Sequence, residues 1–472
     1  MFMFTALATA ALCLALAWWG LGALFRPFRP AFAALTQWLS PAAPFIAAGV
    51  VLFGGLALQA LGSFGMARSV DDAMNRAAGL ITGPLYGGWN RQGQNAIMIV
   101  ALDDAFVRET GGVWPPAYDK TQAVIETIGA AHPKAIFLDS YYRHPHVAPT
   151  GWPDVAGIAG LSEAFADARK AGVPVFIGPV AKDQAVLQPL ADAAGQVGLA
   201  AVGDKTFAYN LRDPDNRPMA AVQLYAVWKG RTVEQLKLPM ETLSVDWGFG
   251  ATDWMRPRLA ADERFCVADT PMARLGSFFW LGWRALAPQL NAGMKGRDRL
   301  EVSCPYFDVV PVGWLSDPRV RDRLRGKLVL VGSTVPWLRD QARTPLLGEA
   351  PGVMVHAMAL DNLIENGASA TRYPSDVGKT ALDYSDLVQT ALLLVGFLAL
   401  WRAHWLFRLA PDEPLSSSMK AGVWASVAGV GLAIACFANW PLFKLLTAAL
   451  GGEIFTEAWD EFHRRRKAGG GT

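Results

Sequence analysis

The chain has 472 residues, 52% hydrophobic and 18% charged, so its apolar surplus has to be concentrated in segments rather than spread over one soluble domain. Its 43 basic and 41 acidic residues nearly cancel, and a net charge of +2 gives too weak a field to suggest a nucleic-acid partner. The four cysteines form no C-x-x-C pair, and the one close histidine pair, His144 and His146, would leave zinc without a full ligand set, so neither a metal nor another cofactor is expected.

A bilayer-spanning helix needs about 20 mostly apolar residues. Residues 2–25 and 42–64 reach that length without a charge. Residues 1–25 lack a basic start and a clean cleavage pattern, which favours a retained span over a signal peptide. Further on, 387–406 and 421–440 qualify, with Arg402 and His404 late enough to reach an interface. Residues 441–459 are weaker, because Lys444 and Glu453 lie within them and a charge at the bilayer centre costs about 2.5–3.5 kcal/mol on insertion scales. Charge arbitrates: if 441–459 spans, then Arg26 and Arg29, the Arg402, Arg408 and Lys420 group, and the basic tail Arg464–Lys467 all fall on one side, the cytoplasm. The expected organisation is two spans in 1–67, an exported domain over 68–375, two or three spans in 376–459, and a short basic cytoplasmic tail, 460–472. The alternative for 441–459 is an amphipathic helix on a membrane surface.

Between the membrane segments, short apolar runs at 96–102, 135–138, 173–177 and 327–331 read as buried parallel strands. Residues 119–130 and 161–171 have helical spacing, with Asp119 and Ser162 as the expected N-caps. The alternation predicts βαβ units. The fold class is therefore an α/β exported domain with a mainly parallel sheet, joined to an α-helical transmembrane bundle.

At the carboxyl ends of these strands stand Asp103 and Asp104, Asp139, Gly178, and Gly332 with Ser333 and Thr334. Open α/β sheets bind ligands at that edge, which would place Asp103, Asp139 and Ser333 in one crevice. The competing reading is that these residues cap helices and loop amides. A catalytic triad is not supported: V-G-S-T-V around Ser333 lacks the second glycine of a nucleophile elbow, and His356 has apolar neighbours in VMVHAMAL. No enzyme activity is expected.

The landmarks ALDD (101–104), VWPP (113–116), HPKAIFLDS (132–140), DARKAGVPVFIGPV (167–180) and RDPDNRPM (212–219) lead to a long closing stretch, 323–367. That stretch joins a GKLVLVG strand, an Asp then a Thr-Pro, and a PGVMVHA helix start. In this order the chain resembles the CHASE2 family, extracytoplasmic sensory domains of bacterial membrane receptors. The resemblance covers about 68–370, and the ligand-binding candidates in the chain are Asp103, Asp104, Asp139, Ser333, Thr334, Asp340 and His356. Departures are the Pro116–Ala117–Tyr118 run where a basic residue is usual, Asn216 where glycine is common, and the poorly matching segment 228–320. Family members typically continue into a cytoplasmic output domain, whereas DEFHRRRKAGGGT is all that follows the last expected span, and no phosphate loop, kinase signature or cyclase pattern is present.

The function expected is a sensory or regulatory subunit in the bacterial inner membrane, its domain in the periplasm, acting through a separate protein partner. The alternative is a scaffold subunit of a larger envelope complex. Ala425, Gly429 and Ala433 give the fourth span a small-residue face, and whether it packs within the chain or in a homo-oligomer stays open. Cys266 and Cys304 both fall in the exported region, and a disulfide between them would contribute about 4 kcal/mol from chain entropy. For the topology, a cysteine introduced by Gly470→Cys should resist an impermeant thiol reagent added outside intact cells; efficient labelling would refute a cytoplasmic tail.

Overall fold

The computed structural model describes residues 82–440, apart from 88–90, 113, 141, 143–144, 146–152, 179–185, 199–206, 239–241, 260–265, 267–269, 287–304, 339, 345–347, 376, 378–382 and 407–414, together with residues 79 and 456. The expected spans at 2–25, 42–64 and 441–459, the His144/His146 pair and Cys304 lie outside the described residues. The described residues fall in two compact units, one within Gly65–Ser375 and Ile434–Lys444, the other within Asp376–Ala433.

The first unit is built on parallel strands with helices between them. In chain order come α1 (Gln92–Ala96), β1 (Ile97–Leu102), α2 (Asp104–Glu109), α3 (Tyr118–Gly129), β2 (Ala135–Asp139), α4 (Val155–Lys170) and β3 (Val175–Ile177). There follow α5 (Gln188–Ala193), β4 (Gly195–Gln196), β5 (Ala208–Tyr209), α6 (Ala220–Lys229), β6 (Leu243–Ser244) and α7 (Pro271–Leu286). β7 (Asp308–Pro311), α8 (Pro318–Leu324), β8 (Leu328–Ser333), the hairpin β9 (Gln341–Thr344) and β10 (Gly348–Pro351), and α9 (Gly352–Asn366) complete it. The main sheet has the order β4-β3-β2-β8-β1-β7, and every paired neighbour in it is parallel.

Alternation along the strands divides the core between the two faces of the sheet. Ile97, Ile99, Phe137 and Leu330 pack with α6 and α9 on one side. Met98, Val100, Leu138 and Val331 pack with α3 and α4 on the other. β1 and β2 therefore lead into helices on one face, while β8, between them, leads to α9 on the opposite face. That is the switch-point arrangement in which α/β sheets open a crevice at the strand ends. Gly332 allows α9 to sit this close: a Cβ there would come within 2.6 Å of Val353 Cβ and 3.2 Å of Asp139 Cβ.

The four expected strands are present within a residue or two. Two further parallel strands were not expected, β4 and, from the poorly matching segment, β7, whose buried Asp308 accepts from Arg323 Nε at 2.7 Å and from Thr252. Two expected caps are corrected. Asp119 lies in the first turn of α3 behind Ala117, which makes no side-chain cap bond. Ser162 sits inside α4, where its hydroxyl donates to the Ile158 carbonyl, and Asp154 caps that helix through Gly157 N. Asn216 adopts a left-handed φ of 64°, which asparagine tolerates in place of glycine, in a turn fixed by Asp213 Oδ1 accepting from Asp215 N and Arg217 N.

The apolar helices are α10 (Tyr384–Leu406), in the second unit, and α11 (Ser417–Ala438), which belongs to that unit as far as Ala433. Among the described residues one helix, α11, is long and apolar enough to cross a membrane. A transmembrane bundle is not established by this alone. The two helices meet where Gly396 lies under Trp424, with Phe397 edge-on to that ring at a centroid distance of 5.3 Å. Gly429 has no neighbour within 4 Å of a Cβ built on it, so the small-residue face is not what joins α11 to α10.

Gly332→Ala forces a methyl into the β8–α9 contact, and overpacking of this kind costs about 1–3 kcal/mol. The full-length variant in detergent should unfold at a clearly lower temperature; an unchanged midpoint would mean α9 can withdraw without penalty.

Candidate functional site

Register sets the strand ends level with one another. Asp139 on β2 pairs with Gly332 on β8, and Leu102 on β1 pairs with Ser333. α9 then crosses this edge and carries His356 toward Asp139. The His356 Nε2 to Asp139 Oδ1 distance is 4.0 Å, close enough for electrostatic contact and too long for a direct hydrogen bond. Asp340 lies at the start of α9, where its backbone carbonyl accepts from Gly352 N at 3.0 Å. A Cβ on Gly352 would come within 2.5 Å of Asp340 Oδ1, so glycine there leaves room for the carboxylate at the positive end of the helix.

The proton arrangement follows from Tyr209 on β5. Ala221 N–H donates to the Tyr209 hydroxyl oxygen at 3.1 Å, and that hydroxyl lies 2.8 Å from His356 Nδ1. If Tyr209 donates its proton to Nδ1, the neutral imidazole carries its own proton on Nε2, facing Asp139. Phe137 and Tyr209 both stand edge-on to the imidazole at 5.1 and 5.4 Å. Burial pushes the His356 imidazole down to about 4, so it is neutral near pH 7. Burial pushes Asp139 up to about 7. Asp340, exposed at the rim, is raised to about 6 by partial desolvation and by Asp139, with His356 acting in the opposite sense.

Asp139 Oδ2 and Ser140 Oγ are buried and have no hydrogen-bond partner among the described residues. Unsatisfied buried polar atoms are destabilising unless something else bonds to them. Chemically the edge therefore offers a carboxyl that holds or releases a proton near neutrality, a free hydroxyl, and a rim carboxylate.

The sequence candidates separate into two groups. Asp139, Asp340 and His356 are brought together. Asp103 instead caps α2 by accepting from Phe106 N at 2.9 Å, and Asp104 is ion-paired with Arg108 and accepts from Trp337 Nε1 at 3.3 Å. Ser333 Oγ accepts from Val335 N at 3.1 Å, and Thr334 N donates to the Leu102 carbonyl at 3.3 Å, so both serve the turn after β8. Tyr209 and Ser140 were not singled out from the sequence. Ser140 was visible in the HPKAIFLDS landmark beside Asp139, whereas nothing local marks Tyr209. Among the described residues no cluster of three His, Cys, Asp or Glu could hold a metal ion.

The raised Asp139 gives a signed test. A carboxyl whose folded value lies above its unfolded 3.8 contributes no penalty below that value and costs stability increasingly until pH passes about 7. Asp139→Asn keeps the shape without the charge. Its melting temperature relative to the unsubstituted protein should rise between pH 4 and 7 and level off above; parallel curves would show that Asp139 does not ionise against its surroundings.

The CHASE2 domain model matches residues 47–400. No curated protein and no solved structure matches the chain. CHASE2 domains are extracytoplasmic sensors. With the match covering most of its length, including all of the α/β sheet and its helices described above, this chain belongs to the CHASE2 domain family.

Proposed function

We propose that this chain is a membrane-anchored, non-catalytic sensory or regulatory subunit whose α/β domain lies outside the cytoplasmic membrane, in the periplasm, and takes a ligand or protein segment at the carboxyl edge of β8. The observation that carries the reading is the buried Asp139 Oδ2, which has no partner among the described residues although Asp139 stands beside His356 at the switch point of a sensory-family domain, with the equally unpartnered Ser140 Oγ next to it in the chain. A ligand donating hydrogen bonds to that carboxyl would satisfy an atom that finds no partner among the described residues. The helix α11 and the apolar segments at 2–25 and 42–64 support anchoring in the inner membrane.

Against catalysis stands the commitment of each reactive group. The Ser333 hydroxyl oxygen is held by a backbone amide and His356 Nδ1 is taken up by Tyr209, so among the described residues no serine or threonine hydroxyl is hydrogen-bonded to the imidazole. A Cys266–Cys304 bridge belongs to the same extracytoplasmic reading. Cys266 is fully buried, which suits a bridge and a packed free thiol alike, and non-reducing peptide mapping decides between them.

The subunit would act through a separate membrane or cytoplasmic protein. Gentle purification of the full chain should recover a signalling partner, and Asp139→Asn with Asp340→Asn should change that partner's recovery or activity without changing the amount of the chain in the membrane. A fixed multi-subunit assembly, indifferent to both substitutions, would favour a scaffold and sink the sensing reading.

A further inference from the structure

Helix α7 turns an apolar stripe outward. Met272, Leu275 and Phe279 stand at i, i+3 and i+7, and are 76%, 43% and 65% exposed. Gly276, at i+4 on the same stripe, has nothing within 4 Å of a Cβ built on it. An amphipathic helix of a soluble domain turns this face inward. α7 packs against the turn Gly83–Leu85, whose Leu85 is itself 50% exposed, and that turn follows the apolar segment 42–64 in the chain.

Charge narrows what can cover the stripe. Residues 271–300 carry Arg274, Arg284, Lys295, Arg297 and Arg299 against the single acid Asp298, and the helix sequence includes Trp280 and Trp283. Basic residues combined with exposed Phe, Leu and Met are the composition of helices that lie in a bilayer interface, where tryptophan is also enriched. An anionic lipid surface matches both the apolar stripe and the local excess of positive charge.

We propose that α7 is an interfacial helix that rests its Met272–Leu275–Phe279 stripe on the outer surface of the anionic phospholipid bilayer in which the chain is anchored. The inference rests on the anchoring proposed above and adds to it a second, peripheral contact between the sensory domain and lipid. A domain held this way would present its strand-edge site at a restricted distance from the membrane, rather than swinging freely on its linkers.

The test uses the full chain in native membranes, with a diazirine-bearing phenylalanine analogue at position 279 and, separately, at Val430 on α11, which is 51% exposed. After illumination, mass spectrometry should find phospholipid adducts at both positions. Met272→Glu should lower the yield at 279 severalfold and leave the yield at 430 unchanged. Lipid adducts at 430 with none at 279 overturn the interfacial helix and leave the anchor standing, whereas none at either position overturns the anchoring itself. An adduct from 279 to a second copy of the chain, or to another protein, replaces the bilayer as the occupant and refutes the proposal.

Discussion

The strand Leu328–Ser333 enters the sheet between two strands formed far earlier in the chain, and its simultaneous register against both fixes where every residue of the candidate site stands. Each of its side chains is buried, alternating between the two helical layers. A slip of one residue would invert that alternation, so the position is strongly specified. From this follow the level pairing of Asp139 with Gly332, the need for glycine under Val353, and the departure of the chain into α9 across the edge. The site is thus a product of long-range strand pairing, and no local motif could assemble it.

α9 is buried along nearly its whole length, yet it carries His356, Asp361 and Asn362 among its apolar residues. Each polar group performs a separate task. His356 turns to the carboxyl edge. Asn362 clasps Asp246, accepting from its backbone N–H at 2.9 Å and donating to its carbonyl at 2.8 Å. Asp361 lies against Gly93, whose missing side chain makes room for it, and burial raises its carboxyl to about 8. Asp246 is also raised, to about 6, chiefly by burial, with the Thr371 hydroxyl bond opposing the shift. Raised carboxyls of this kind are neutral without penalty at low pH and weigh against folding as pH rises through their folded values. The lowered His356 acts in the reverse sense, weakening folding as pH falls from 6.5 toward 4. The domain therefore holds opposed proton demands within one helix and its immediate neighbours.

The strands at 96–102, 135–138, 173–177 and 327–331 were legible because a strand covered on both faces must be continuously apolar, and few other structures need that pattern. β7 was not, because DVVP is short and opens on an aspartate whose burial depends on Arg323 and Thr252. The cap of α4 was misplaced because the helix begins at Val155, before the apolar spacing becomes regular, and Ser162 can satisfy its hydroxyl inside the helix by back-bonding to Ile158. For the site, strand-end position picked out Asp139 but could not separate it from Asp103, since capping and ligand-binding aspartates look alike in sequence. Asp340 and His356 were reached through family resemblance. Tyr209 was out of reach, because its role depends on a two-residue strand brought beside α9 from elsewhere in the chain.

The end of α9 has its own constraint, which bears on how a bound ligand could be felt elsewhere. Past Asn366 the backbone runs alongside β6: Ser244 N donates to the Thr371 carbonyl at 3.0 Å, and Tyr373 N donates to the Thr242 carbonyl at 2.9 Å. Thr371 Oγ1 adds a bond to Asp246 Oδ2 at 2.7 Å, next to the Asn362 clasp. The helix that carries His356 and the chain that leaves it toward α10 are therefore tied to the same short strand. A change at the carboxyl edge that shifted α9 along its axis would have to break this junction or move it as a unit. Packed interiors favour the second course, because side chains at native density transmit displacement better than they absorb it. The segment Thr242–Asp246 thus holds the end of α9 and the chain beyond it to one place, so a shift of the helix would be felt where the chain leaves it.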